Sequence, residues 1–256
     1  MQGRSWQGVS VMELERASHT AVPALRTAFD GPFLLRAFLG GTGRANAASS
    51  LDPAQDAGLP ARLERIAENY RRLGLAPRFR STPLDPPGLE EALLERGYRE
   101  ADASLVMAGP LAAFATPGAT PDAALEVLPA PTEEWLAVVA TAEYQTEQRR
   151  AEKLRAPALM MVPAAWLVLR VEGQAAAVGQ VAADGRLLGF FDIATAPAFR
   201  RQGLARRLLA AAAAWGRAQG GTTGWLQVSA ANAPARALYE ALGLREIYRY
   251  RYFLPG

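Results

Sequence analysis

The 256-residue chain has no cysteine. Disulfides, zinc–thiolate sites and a thiol nucleophile are excluded at once. Its single histidine is His19. A Ser-His-Asp triad or a histidine-rich metal site would have to be built around it, and its neighbours Ser18 and Thr20 form no such pattern. His19 reads as a surface or first-helix residue, and no metal is expected. No run of about 18 apolar residues is free of charge, so no membrane span is expected. The richest candidate, Leu208 to Trp215, is short and Ala-rich. The start, Met1 to Trp6, lacks the apolar core of a secretory signal. These absences predict a cytoplasmic protein with no membrane partner. Basic runs and basic–aromatic stripes are absent too, and the formal net charge is only +3, so no nucleic-acid partner is expected.

What the chain has is apolar bulk: half of it is hydrophobic. That suffices for two domains of about 100–150 residues. The bias toward Ala, Arg, Leu, Gly and Pro suggests a GC-rich bacterial source. Residues 108–123 are rich in Pro, Gly and small side chains and read as a junction. The expected division is 1–110, a linker at 111–123, and 124–256. Residues 44–59 also read as loop.

Beyond the junction the order is strand, helix, three strands, helix, strand, helix, strand, an α/β (α+β) arrangement. Leu125–Leu128 alternates like a strand, and Thr132 can cap a helix that begins Glu133-Glu134. Residues 142–155 form a polar, partly helical segment. Trp166–Val171 and Ala176–Ala182 are apolar strands joined by a Glu-Gly-Gln turn. Leu187 to Thr195 is another strand, interrupted by Asp192. Leu204, Leu208, Leu209, Ala212 and Trp215 recur at helical spacing, and Gly220-Gly221 stops that helix. Trp225–Ser229 is the next strand. Asn232 opens a last helix, stopped by Gly243, and Leu244 to Phe253 closes as strand. The first half echoes this order: a helix from Gly58, an extended Pro77–Ser81, a helix from Leu89 and a strand at Ser104–Met107. The spacing of Gly58 and Gly97 matches that of Gly203 and Gly243, which suggests a diverged internal duplication.

Chemistry concentrates after Thr195. A strand that runs through a tight loop into a helix presents unpaired N–H groups and the positive end of the helix dipole. That is an anion site. In Arg200-Arg201-Gln202-Gly203-Leu204-Ala205, Gly203 and Ala205 let a ligand approach the backbone, and Arg200, Arg201 and Arg206 surround it with positive charge. A diphosphate is the natural guest.

Arg-x-x-Gly-x-Ala resembles the Arg/Gln-x-x-Gly-x-Gly/Ala signature of the GNAT superfamily of N-acetyltransferases. Downstream, Asn232, Ala235, Leu238, Tyr239 and Gly243 are similar to that family's Asn-x-x-Ala-x-x-Leu-Tyr-x-x-x-Gly-Phe motif, with Leu244 in place of Phe. The match covers roughly residues 125–256, and the first half resembles a degenerate copy, as in tandem GNAT proteins. The resemblance implies two GNAT-like domains, each a mixed twisted sheet flanked by helices, with the C-terminal one complete and catalytic.

It also implies acetyl-CoA as co-substrate and an amine acceptor, either a small molecule or a protein amine, attacked directly in a ternary complex. The protein would be a monomer or homodimer. Backbone groups of Ile193, Ala194 and Thr195 would pair with the pantetheine arm. Amides from Arg201 through Gln202, Gly203, Leu204 and Ala205 to Arg206 would hold the diphosphate. Asn232 would bond the pantetheine, or simply cap its helix, or both. Tyr239 would protonate the departing thiolate, or only pack. Asp192 is a candidate base, because a charge in so apolar a strand is costly unless paired or useful; a structural ion pair is the alternative. Glu143 and Glu147, four apart, would share a helical face able to meet a cationic acceptor, with Tyr144 beside them; a solvated face is the alternative. In the first half, Gln55 to Pro60 keeps Gln and Gly, but Pro60 removes an N–H and Asp56 adds the wrong charge. That half is expected not to bind CoA. Two other readings remain: a non-catalytic acyl-CoA sensor or scaffold, and a tandem-GNAT aminoacyl transferase.

Overall fold

One mixed sheet of eleven strands runs through the described residues of the computed structural model, which are 8–114, 124–142 and 145–256. The first half supplies α1 (Val11–Ala21), β1 (Arg26–Asp30), β2 (Phe33–Ala37), β3 (Ala48–Ser50), α2 (Leu59–Arg72), β4 (Phe79–Ser81), α3 (Leu89–Glu95) and β5 (Tyr98–Pro110). The second half supplies β6 (Leu125–Leu128), α4 (Glu133–Val139), α5 (Glu147–Arg155), β7 (Ala164–Val171), β8 (Gln174–Asp184), β9 (Leu187–Thr195), α6 (Leu204–Ala218), β10 (Thr223–Ser229), α7 (Ala233–Ala241) and β11 (Arg245–Pro255).

The strand order is β1-β2-β3-β4-β11-β5-β10-β9-β8-β7-β6. Each half repeats one plan: an antiparallel run, a helix, a strand parallel to the preceding one, a second helix and a closing strand. Thus β4 pairs parallel with β3, and β10 with β9. The closing strands are exchanged: β11 lies on β4 of the first half, and β5 on β10 of the second. They pair with each other at the centre. The halves therefore share their middle through main-chain hydrogen bonds, not only through side-chain packing.

Local chemistry explains most helix starts. Ser10 and Glu13 form a reciprocal capping box on α1. Thr132, Thr146 and Asn232 each accept a backbone N–H at the start of α4, α5 and α7. Thr146 is where α5 begins, so Glu147 is its first residue. Glu143 and Tyr144 themselves fall outside the described residues.

Helix α6 covers one face of the second-half sheet, burying Leu204, Leu208, Leu209 and Ala212 against Leu167, Ala177, Leu188 and Phe190. On the other face α4 packs Trp135 and Val139 against Trp166, Val168 and Val178. Helix α1 covers the centre, beside Trp225, Tyr248 and Phe191. Helices α2 and α3 close the first half over Phe33, Phe79 and Phe253. Of the expected linker, Leu111 and Phe114 are buried core residues in a 3-10 turn. Residues 115–123 lie outside the described part.

Candidate functional site

Two irregularities in β9 build the site. The first is a bulge. Val178 pairs with Ala194 and Gln180 with Phe191, so Gly179 alone faces Asp192 and Ile193. Asp192 takes a left-handed φ of 52°. The freed Gly179 carbonyl accepts the Trp135 indole N–H at 3.2 Å. A side chain on Gly179 would stand 2.5 Å from Ile193 Cδ1, so glycine is what admits the bulge. The second irregularity is a splay. β9 and β10 pair only from Leu187–Thr223 to Phe190–Leu226. Beyond that point Ile193 to Thr195 and Gln227 to Ser229 have no ladder between them.

The splay exposes main-chain groups. Ala196 N–H donates to Ala176 O. Strand alternation then turns Ala194 toward β8 and leaves the N–H and C=O groups of Ile193 and Thr195 toward the gap. Of the three residues expected to pair with a pantetheine arm, Ala194 thus offers no main-chain partner on that side. The Thr195 carbonyl accepts Arg200 Nε at 3.1 Å, and Arg200 Nη2 donates to Thr141 O at 3.0 Å. Arg200 therefore pins the loop to the end of α4.

The loop then enters α6 through Arg201 and Gly203, both left-handed at φ 63° and 74°. Helix α6 has neither a side-chain cap nor an acidic residue in its first turn. Its opening N–H groups face outward beside the exposed Arg201, Gln202 and Arg206. The same place in the first half is filled by the protein itself. Asp56 Oδ1 accepts the Gly58 N–H at 3.0 Å, and Asp56 Oδ2 pairs with Arg62 Nε at 2.5 Å. An internal carboxylate thus occupies the start of α2.

Tyr239 lies on the α6 side of the sheet, packed with Leu204, Phe190 and Leu242. Its hydroxyl has no hydrogen bond among the described residues, and burial pushes its pKa up to about 12. It stays protonated at neutral pH. Asn232 caps α7, its Oδ1 accepting Ala235 N–H at 3.2 Å.

Asp192 points the other way, into a partly open pocket between the two halves. Arg44 and Phe38 come from the first half, and Arg149, Glu152, Lys153, Gln180 and Phe191 from the second. Lys153, the one lysine of the chain, makes an ion pair with Asp192 Oδ1 at 2.8 Å, and Arg44 stands 4.0 Å from the same oxygen. Burial alone would raise the Asp192 pKa, but Lys153 and then Arg44 hold it below the ordinary carboxylate range. Asp192 forms a buried ion pair and lines a cleft. Glu147 is exposed and does not line this pocket.

Neighbouring Glu152 is 4% exposed and tethers the halves. It accepts the N–H groups of Leu39, Gly41 and Thr42 and the Asn46 amide at 2.7–3.0 Å. Sequence reasoning misses Arg44, Arg149, Glu152, Lys153 and Gln180. Gln180 carries a usable signal, since it interrupts an apolar strand as Asp192 does. Lys153 carries another, as the sole lysine. Nothing local marks Arg44.

His19 is half-buried in the first helix, the second of its two expected places. It lies on α1 with its Nδ1 3.2 Å from Arg36 Nη1 and its Nε2 3.8 Å from the buried Glu15. Glu15 is bound in turn by Arg80 and Tyr248. Burial, then Arg36, lowers the His19 pKa to about 3.

Among the described residues no group of His, Asp or Glu is arranged to hold a metal, and no helix is long and apolar enough to cross a membrane. A family model described as "Probable histone acetyltransferase Rv0428c C-terminal" matches residues 9–253. A GCN5-related N-acetyltransferase from Kribbella flavida is 20% identical, with TM-score 0.67 over 97% of each chain. A tandem GNAT protein from the clavulanic acid biosynthesis pathway is 14% identical, with TM-score 0.61 over 94% of this chain and 86% of that one. The [ribosomal protein bS18]-alanine N-acetyltransferase of Escherichia coli (strain K12) is 43% identical over 79 residues, which is 31% of this chain and 52% of the relative. The chain thus spans about half the length of the curated relatives it matches.

Proposed function

The chain belongs to this acetyltransferase family, within the GNAT superfamily, and from that premise we propose that it transfers an acetyl group from acetyl-CoA to a primary amine. The observation that carries the proposal is the pairing of the β9–β10 splay with the uncapped start of α6. The residues fit the co-substrate. Ile193 and Thr195 offer main-chain partners to an extended amide-bearing arm. Arg201, Gln202, Gly203, Leu204, Ala205 and Arg206 offer amides and positive charge to a diphosphate. Asn232 stands at the start of α7, within the same motif.

When bound, acetyl-CoA supplies an electrophilic carbonyl and a thiolate leaving group. The rest is the work of this chain. Tyr239, protonated and without a competing hydrogen bond, donates its proton to the leaving sulfur as the C–S bond breaks. The C–N bond forms from the neutral amine, and the amine's proton leaves through water in the cleft. Asp192 is ionised and held by Lys153, so it takes up a proton weakly; its part is to order the amine and that water. The second half carries the reaction. The first half, plugged by Asp56, walls the acceptor pocket.

Calorimetry with acetyl-CoA should show one site per chain. Tyr239→Phe should keep that affinity and slow turnover at least ten-fold. Full turnover in Tyr239→Phe would remove the acid role, and absent acetyl-CoA binding would remove the proposal. Glu143, Tyr144 and Glu147 stay as candidate contacts for a larger acceptor at the mouth. The relative's name carries a protein acceptor, the alanine of a ribosomal protein; a protein amine is thus the second acceptor class to assay.

A further inference from the structure

A second groove lies between the open end of the β1–β2 hairpin and the last turn of α2, and it shares no lining residue with the acceptor pocket. We infer that it binds a small amphipathic carboxylate, whose carboxylate group bridges Arg26 and Arg72 and whose apolar body rests on Leu35, Ala37 and Leu73. The inference does not depend on the acetyltransferase reading; it assigns the first half a ligand of its own. Strand alternation fixes the geometry. Arg26, Ala28 and Asp30 of β1 stand opposite Ala37, Leu35 and Phe33 of β2. Residues opposite one another on an antiparallel pair share a face. Phe33, Leu35 and Ala37 pack with Leu63, Ile66 and Tyr70 of α2, so Arg26, Ala28 and Asp30 face α2 as well.

The two ends of that face differ. At one end a carboxylate joins strand to helix: Asp30 pairs with Arg62 and accepts Arg65 Nε at 3.1 Å and Nη2 at 2.9 Å. At the other end strand and helix both present a cation, Arg26 and Arg72, and no carboxylate lines the groove among the described residues. Neither guanidinium has a hydrogen bond, ion pair or ring contact with a described residue. Arg36 also borders the groove, but its guanidinium turns to the α1 side and is held by the Arg44 and His19 carbonyls. The negative end of the α2 dipole accounts for a cation at Arg72. It does not account for Arg26 on the facing strand, since like charges on one groove repel. An external carboxylate would join the two as Asp30 joins Arg62 and Arg65, with charge-assisted hydrogen bonds on each side.

The floor decides the rest of the ligand. Ala28 is small and leaves the space beside Leu35 open, and Leu73 is 43% exposed at the groove's edge. The Tyr70 hydroxyl is bonded to the Arg36 main chain, so its ring serves as wall. A bare inorganic anion would leave this apolar surface wet, whereas a carboxylate with an aliphatic body covers it. The exposed Asn69 adds one neutral amide at the rim.

The test uses the full chain in excess CoA, so that a probe does not report on the β9–β10 splay. Octanoate is the probe, with octanol, octylamine and acetate as comparisons, measured by ligand-observed NMR and thermal melting. Octanoate should bind about ten-fold or more tighter than each of the other three and raise Tm. Arg26→Gln and Arg72→Gln should each weaken it about ten-fold, and Ala28→Leu, which fills the groove, should do the same. Arg71→Gln is the control, because Arg71 lies outside the groove and pairs with Glu68 at 3.3 Å; it should leave the affinity unchanged. Arg26, Ala28 and Arg72 are exposed, so unliganded melting of each variant should match the original, and the order of the four probes on the unmodified protein decides the matter if one does not fold. Octanol or octylamine binding as tightly as octanoate would overturn the inference, and so would no octanoate binding or an equal loss in Arg71→Gln. A dimer in sedimentation that Arg26→Gln disperses would overturn it too, by showing a second copy in the groove.

Discussion

Glu152 is the sharpest place to test how the two halves are joined. Its carboxylate accepts three backbone N–H groups from residues 39–42 and one side-chain amide from Asn46. All of these donors lie on the opposite half of the chain. In Glu152→Ala the donors lose their acceptor in a part-buried place. Each orphaned donor costs about 1–3 kcal/mol, less where water reaches it. With water reaching some of the four, the expected loss is about 3–5 kcal/mol. For a protein of this size that lowers Tm by roughly 6–20 °C. Glu152→Gln should cost less, about 1–3 kcal/mol, because one amide oxygen can still serve the three donors that Oε1 serves now. Its NH₂ would face the Thr42 N–H, 2.7 Å from Oε2 at present. Gly41→Ala offers an independent probe, since its Cβ would stand 2.6 Å from Glu152 Oε2 and 2.8 Å from the Arg149 backbone N. Urea denaturation and thermal melting of the three variants provide the measurements. A Glu152→Ala protein within about 1 kcal/mol of the original would refute the view that this carboxylate tethers the halves.

Other outcomes follow from the same geometry. Residues 124–256 expressed alone should fail to fold cooperatively, because β5 lies between β10 and β11; a monomeric, acetyl-CoA-binding fragment would contradict the strand exchange. Gly203→Ala meets no neighbour within 4 Å, but it places a side chain at φ 74°. It should cost about 1–2 kcal/mol of stability while lowering acetyl-CoA affinity more than ten-fold, read by melting and calorimetry. Asp85 is raised by burial to a pKa of about 7. The folded state therefore binds a proton that the unfolded chain has already lost. Stability should fall as pH rises from about 4 to 7, by up to about 1.4 kcal/mol for each step of one in pH. Asp85→Asn should flatten that slope and raise Tm more at pH 8 than at pH 5; an unchanged slope would show that Asp85 is not its source.

The legible parts of the sequence are those where a local rule is strong. Thr132 and Asn232 cap the helices their patterns announce. The α6 stripe and the left-handed Gly203 stand where spacing places them. The repeat of helix, strand, helix, strand appears in both halves. The first half is less legible. Its β1, β2 and β3 escape the pattern because they are short and two of them, β2 and β3, are buried along their whole length. Full burial removes the alternation that marks a strand.

Asp192 shows where sequence ends and structure begins. Its isolation in an apolar strand is visible in one dimension. Its partners are not: Lys153 comes from α5 and Arg44 from the other half of the chain. The sequence by itself determined the family motifs and the glycine loop that opens α6. Only the tertiary structure decided which partners Asp192 and Glu152 meet, and that the closing strands change places. Caps and stripes depend on residues three or four apart, whereas the pocket and the strand exchange depend on contacts between distant parts of the chain.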